Sequence, residues 1–220
     1  MELIAAHGGP PFTLYEGVTF MMGMVPFFRA LHTDPLLVKK MFDKLGSYAV
    51  AAYRLLAELE HVGAVVMADD MGHRSGPMMA PKYFREYVFP WIKKCVAAVH
   101  RMGKPFILHS CGNLKVLMDD LIEYVGIDAK HSFEDTTYPV TEYKRLYGER
   151  IAILGGISVD KLSRMPAEDL RKYVRHVIKE CAPGGGYALG SGNSVTNYVK
   201  LDNYLTMLRI GRKYGRYPIS

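Results

Sequence analysis

The chain of 220 residues is 49% hydrophobic and 23% charged, with a formal net charge of +6, the make-up of an ordinary globular protein long enough for one domain with a sizeable core. No apolar run approaches the roughly 20 residues a bilayer span needs, and MELIAAHGGPP has neither the basic start nor the long apolar stretch of a secretory signal, so the expectation is a cytoplasmic protein without a membrane partner. Basic residues are spread along the chain, the densest cluster being RIGRKYGR (209–216), and with no nucleic-acid-binding motif beside them the expected partner is a small anion or an acidic protein rather than nucleic acid.

In chain order, ELIAAHG (2–8) reads as a strand and GGPPF ends it. Asp34 and Pro35 form an N-cap and first-turn pair. Behind them Leu37, Met41, Leu45, Tyr48, Ala52, Leu55 and Leu59 recur at steps of three and four, which predicts a long helix with these residues on its core face. GAVVMAD (63–69) reads as a strand and residues 82–102 as a helix bent at Pro90. PFILHS (105–110) reads as a strand followed by a helix over 114–124. IDAKHS (127–132) is followed by a short helix over 140–147, IAILGG (151–156) by a helix over 167–181, and GYALGS (186–191) by a helix over 201–212.

These are six βα units whose strands are near-continuous apolar runs, the pattern of a parallel sheet covered on both faces. Chemistry-capable residues gather after at least five of the six strands, which favours a (β/α)8 barrel mouth over the single switch point of a doubly wound sheet. A barrel of that type has eight strands. No repeat, low-complexity tract or linker divides the chain, so residues 1–220 read as one domain. The three cysteines are odd in number and widely spaced, which fits a reducing compartment. Cys95 and Cys181 lie within helical patterns and read as small buried hydrophobes.

The sharpest local signal is HSCGN (109–113), where His109 and Cys111 stand two residues apart at a strand end. Zinc takes these donors but needs three or four, so the pair alone is incomplete. Asp69 and Asp70 end another strand; being adjacent, they point opposite ways, so only one faces the mouth and the other caps loop N–H groups. His73 and Arg74 follow on the same loop and can bind an anion. Glu134 and Asp135 in HSFEDTTYP offer a general acid, a metal ligand or a loop cap. GGGYALGSGNS (184–194), with Ser191 and Asn193, is a phosphate cradle or a tight loop.

Several stretches together resemble the uroporphyrinogen decarboxylase superfamily: PPFTLYEG (10–17), TDPLLVKKM (33–41), AVVMADDMG with PKYFREYVFPWIK, FILHSCGN, LGGIS (154–158) and ALGSGNS. The resemblance covers nearly the whole chain. It implies an α/β fold, a (β/α)8 TIM barrel, in which the six units here correspond to strands three to eight and the first two βα units are absent. Against the decarboxylases, Ser191 stands where they carry a histidine, Gly17 where they carry a tyrosine and Asp70 where they carry a serine. The branch of zinc-dependent corrinoid methyltransferases fits HSCGN better. There the resemblance implies zinc on His109 and Cys111, with Ser191 at the position of the third ligand, a cysteine in that branch, and Glu134 as a replacement. It further implies Asp69, Asp70 and Glu134 as catalytic groups and Phe12, His73, Ser191 and Asn193 as substrate contacts.

The implied activity is passage of a methyl group between a small substrate and a corrinoid carried by a partner protein. The alternatives are uroporphyrinogen decarboxylation in porphyrin biosynthesis, which needs no metal, and a non-catalytic or partial barrel subunit. Two open strand edges, at 2–8 and 186–191, would expose unpaired backbone groups, so the further expectation is a homo-oligomer or an additional N-terminal segment.

Overall fold

The structure is a computed structural model that describes residues 4–8 and 13–219. By its contacts the chain divides into two compact units, residues 1–129 and 130–220. In the first, β1 (Ile4–Gly8) is followed by three helices, α1 (Tyr15–Met22), α2 (Met24–Thr33) and α3 (Pro35–Glu58), and then by β2 (Val62–Ala68). A short hairpin, β3 (Gly72–His73) and β4 (Gly76–Pro77), precedes α4 (Pro81–Tyr83), a π-helical turn (Phe84–Val88) and α5 (Phe89–His100); β5 (Phe106–His109) leads into a 3₁₀ turn (Lys115–Leu117) and a second π-helical turn (Asp120–Val125). β2 pairs in parallel with β1 on one side and β5 on the other.

The second unit carries β6 (Ala129–His131), which starts at the boundary, then α6 (Val140–Tyr147), β7 (Ala152–Leu154), α7 (Val159–Arg164), α8 (Ala167–Cys181), β8 (Tyr187–Ala188) and α9 (Leu201–Tyr214). β7 pairs in parallel with β8, Ile153 opposite Tyr187 and Leu154 opposite Ala188. The buried Asn203 of α9 donates from Nδ2 to the carbonyls of Leu162 and Met165, both at 2.9 Å, and so ties α9 to the end of α7.

All six strands expected from the sequence form. The α6 and α8 helices take the expected bounds, while α1, α2, α7 and the β3–β4 hairpin lie in stretches the periodicity left unassigned. Asp34 caps α3 as expected, its carboxylate accepting from the Leu37 N–H at 3.0 Å, with Pro35 at the first helical position. The bend expected at Pro90 is the π turn just before it: the Phe89 N–H reaches back five residues to the Phe84 carbonyl. Proline has no N–H to give and its ring crowds the carbonyl four residues back, so the preceding turn widens. The helix expected over 114–124 forms as one continuous, irregular helical stretch, a 3₁₀ turn running into a π turn.

One expectation is overturned. The residues of α3 that pack inward are Val38, Phe42, Leu45, Gly46, Ala49, Tyr53 and Ala57, one position round from the predicted stripe. Of that stripe only Leu45 is buried; Tyr48, Leu55 and Leu59 are 54%, 56% and 55% exposed. α3 carries two apolar faces, and periodicity alone does not say which one turns inward. Small residues decide it. Gly46 lets α3 close on the Trp91 indole of α5, and Tyr53 packs on Phe106 of β5 with ring centres 5.7 Å apart.

A Cβ at position 46 would clash with the Trp91 ring. Glycine to alanine in a helix interior ordinarily stabilises by about 0.5–1 kcal/mol. Gly46→Ala should instead destabilise, by about 1–3 kcal/mol, through overpacking. A lower urea midpoint at unchanged slope is the expected result.

Candidate functional site

The parallel register of β2 and β5 ends with Ala68 opposite His109, and the Asp69 N–H donates to the His109 carbonyl at 3.0 Å. The two strands therefore deliver Asp69, Asp70, His109 and Cys111 to the same end of the sheet. Alternation then separates the two carboxylates. Asp69 is fully buried and accepts from three backbone N–H groups at the start of α1: Leu14 at 3.2 Å, Tyr15 at 2.9 Å and Glu16 at 2.9 Å. Burial pushes its carboxyl up to about 7, against the pull of those three donors. Burial, and then the Asp69 charge, pushes the Tyr15 phenol up to about 12.

Asp70 turns the other way. Its Oδ1 accepts from the Cys111 N–H at 2.7 Å and lies 3.8 Å from His109 Nε2, while Cys111 Sγ is 3.6 Å from that same nitrogen. The His109 side chain is 17% exposed and that of Asp70 40%, so the cluster opens to solvent on the Asp70 side.

Two loops hold these side chains together. The Met71 N–H donates to Ser110 Oγ at 3.0 Å and the Asn113 N–H to the His73 carbonyl at 2.9 Å. Gly112 has φ 79°, and a Cβ there would strike the Gly72 backbone; a Cβ at Gly72 would come within 2.6 Å of the Cys111 carbonyl oxygen. Both glycines are required by close backbone approach, and Gly112 also by its left-handed conformation. HSCGN thus supplies two donors and the residues that lock them beside Asp70.

The three ligand atoms, a carboxylate oxygen, an imidazole nitrogen and a thiol sulfur, lie within 4.8 Å of one another. A tetrahedral zinc with bonds of about 2.0–2.3 Å sets its donors roughly 3.3–3.8 Å apart. The His109–Cys111 and His109–Asp70 separations match this spacing, and the donor types are those zinc takes, so these residues fit the metal. Cys95 and Cys181 are fully buried, and burial pushes both thiols up to about 12, so neither offers a thiolate.

The other expected site residues fall as follows. Phe12 lies outside the described residues. His73 is exposed on the β3–β4 hairpin, its Nδ1 3.5 Å from Ser75 Oγ. In the second unit Glu134 and Asn193 line a cavity of about 470 Å³, in whose wall Asp135 is held by Lys161 at 2.6 Å. The Ser191 carbonyl sits 3.0 Å from His131 Nε2, and burial lowers the pKa of His131. Sequence reasoning missed Lys130, which is fully buried and donates to the Ser132 carbonyl at 2.7 Å beneath the Phe133 ring. Its strand is AKH (129–131), where a lysine beside a histidine gives no local signal of burial.

Asp69 and Asp70 should separate in experiment. Asp69→Ala leaves three helix-start N–H groups without their acceptor and should cost about 1–3 kcal/mol of stability. Asp70→Ala removes one acceptor at a half-exposed position and should cost about 1 kcal/mol or less. Urea midpoints of the two variants measure the contrast.

No curated protein sequence matches the chain. Among solved structures, a methyltransferase from Methanosarcina mazei superposes with a TM-score of 0.74 at 16% identity, covering 93% of this chain and 57% of that one. The chain therefore spans less than two thirds of that neighbour's length, and the likeness establishes the fold: an α/β architecture with parallel strands, part of a (β/α)8 barrel. Among the described residues no helix is long and apolar enough to cross a membrane. The family model for uroporphyrinogen decarboxylase matches residues 1–214, so the chain belongs to the uroporphyrinogen decarboxylase family.

Proposed function

We propose that this chain is a zinc-dependent methyltransferase that moves a methyl group between a small methylated substrate and a corrinoid carried by a partner protein. The observation that carries the proposal is the convergence of Asp70, His109 and Cys111 at one strand end. The Methanosarcina mazei neighbour, itself described as a methyltransferase, agrees with this branch of the family.

Within the site, Cys111 would give the soft thiolate ligand and His109 Nε2 the imidazole ligand. Asp70, oriented by the Cys111 N–H, would give the third. Three protein ligands rather than four would suit a catalytic rather than a structural zinc. Held by these residues, zinc would supply the acidity that turns a thiol or hydroxyl into a nucleophile toward, or a leaving group from, a methyl carrier. Asp69 serves the site indirectly by anchoring α1. In the first unit His73 would contact substrate; in the second, Glu134, exposed at the rim of that unit's cavity, would move protons, and Ser191 and Asn193 would contact substrate.

Metal analysis of the purified chain tests this directly. The expected result is about one zinc per chain, lost in Cys111→Ala and His109→Ala and weakened at least tenfold in Asp70→Ala. Zinc-dependent methyl transfer to a reduced free corrinoid should follow the same order. A chain that binds no zinc and decarboxylates uroporphyrinogen would contradict the proposal and favour the metal-free activity of the family.

A further inference from the structure

The basic stretch 209–216 and the helix packed beside it have no part in the metal cluster. Between the second half of α8 and the end of α9 lies an open cavity of about 640 Å³. That volume is within the roughly 300–1,000 Å³ of small-molecule sites. Lys172, Arg175 and Lys179 of α8 line it, with Lys213 of α9 and Arg216 just beyond, and among the described residues no carboxylate does. On α8 the steps of three and four put all three cations on one face. The chain's net charge is +6, so without these five residues it would be close to neutral.

Ordinary surface chemistry does not account for the cluster. Cations near a helix C-terminus answer the helix dipole, which covers Lys179 and Lys213. The effect fades beyond the last turn and leaves Lys172 and Arg175 without that reason. Neither belongs to an ion pair of the described residues: Glu168, one turn before Lys172, is taken by Arg171 at 2.9 Å, and Glu180 meets His176 at 3.9 Å. Arg175 and Lys179 stand four apart with like charge, an arrangement that weakens a helix until an anion neutralises it.

The cavity is also shaped for a ligand. The Arg175 guanidinium lies over the Tyr214 ring with Cζ 4.6 Å from its centre, and Lys213 Nζ is 5.2 Å from the same ring. Stacking holds the fork ready for a phosphate, which it grips through two parallel N–H bonds. A single phosphate carries at most about two negative charges, too few to neutralise five cations, whereas a chain of phosphates does so. Ile178, Pro218 and Ile219 supply an apolar wall beside the cations, a place for an organic ring system.

We propose that the cavity between α8 and α9 binds an organic polyphosphate, of the class of a nucleoside triphosphate, with Arg175 gripping a phosphate and the apolar wall receiving the ring system. This goes beyond the methyl-transfer reading and does not depend on it, because the cavity shares no residue with that site.

Calorimetric titration of the full chain with ATP, at about 0.15 M salt so that distant charges are screened, is the test. The expected result is one site per chain with a micromolar dissociation constant, several-fold weaker binding of inorganic tripolyphosphate and none of adenosine. Arg175→Ala and Lys213→Ala should each weaken ATP at least tenfold and Arg175→Lys several-fold, while Lys40→Glu, on α3, should change it less than twofold. All of these side chains are exposed, so the variants should keep the wild-type circular dichroism. No binding of ATP, or binding as sensitive to Lys40→Glu as to the cavity variants, would overturn the proposal. So would tripolyphosphate bound as tightly as ATP, or a cavity that takes RNA or an acidic polypeptide in place of ATP.

Discussion

Two stretches of backbone have to pass within contact of each other at the end of the sheet, and the site depends on that crossing. Gly72 and Gly112 meet with no room for a Cβ on either side. Ser110 and Asn113 then tie the same two loops by hydrogen bonds. With the loops closed, the Cys111 N–H can reach the Asp70 carboxylate, and Asp70, His109 and Cys111 fall within bonding reach of one ion. Were the crossing wider by the size of a methyl group, the hydrogen bonds would stretch beyond useful length and the three donors would separate. Rigid support from strand ends and from loops locked in this way holds donor atoms to the tolerance a metal site needs.

The neighbouring Asp69 shows how a strand divides labour between adjacent residues of one type. One carboxylate turns into the protein, where three N–H groups at the start of α1 receive it. The next turns out toward the imidazole and the thiol. A buried acid held by helix-start donors is structural chemistry, and a half-exposed acid beside soft donors is ligand chemistry. The pleat alone assigns the roles, and the parallel register between β2 and β5 decides where both occur.

Much of this was legible in the sequence, though unevenly. The strands announced themselves as apolar runs, and α6, α8 and the Asp34–Pro35 start of α3 by periodicity and capping. His109 and Cys111 stood out because two ligand types flanked one residue at a strand end. The opposite orientations of Asp69 and Asp70 followed from strand geometry. What was not legible depended on contacts between segments distant in sequence. That Asp70 is the donor beside His109 and Cys111 is fixed by backbone crossing and by no local pattern. The core face of α3 was misassigned because the helix carries two apolar stripes, and the true one is set by Gly46 against Trp91, 45 positions further along. Short elements such as α7 and the β3–β4 hairpin contain too few residues to show a period at all.

The proposed metal would be held by a single sulfur together with nitrogen and oxygen. That composition sets this site apart from a sulfur-rich structural zinc, and it follows from the burial of the other two thiols. X-ray absorption at the zinc edge of the loaded protein counts these ligands directly. The account predicts one sulfur at about 2.3 Å and nitrogen or oxygen ligands at about 2.0–2.2 Å. A shell with no sulfur, or with two or more, would contradict it.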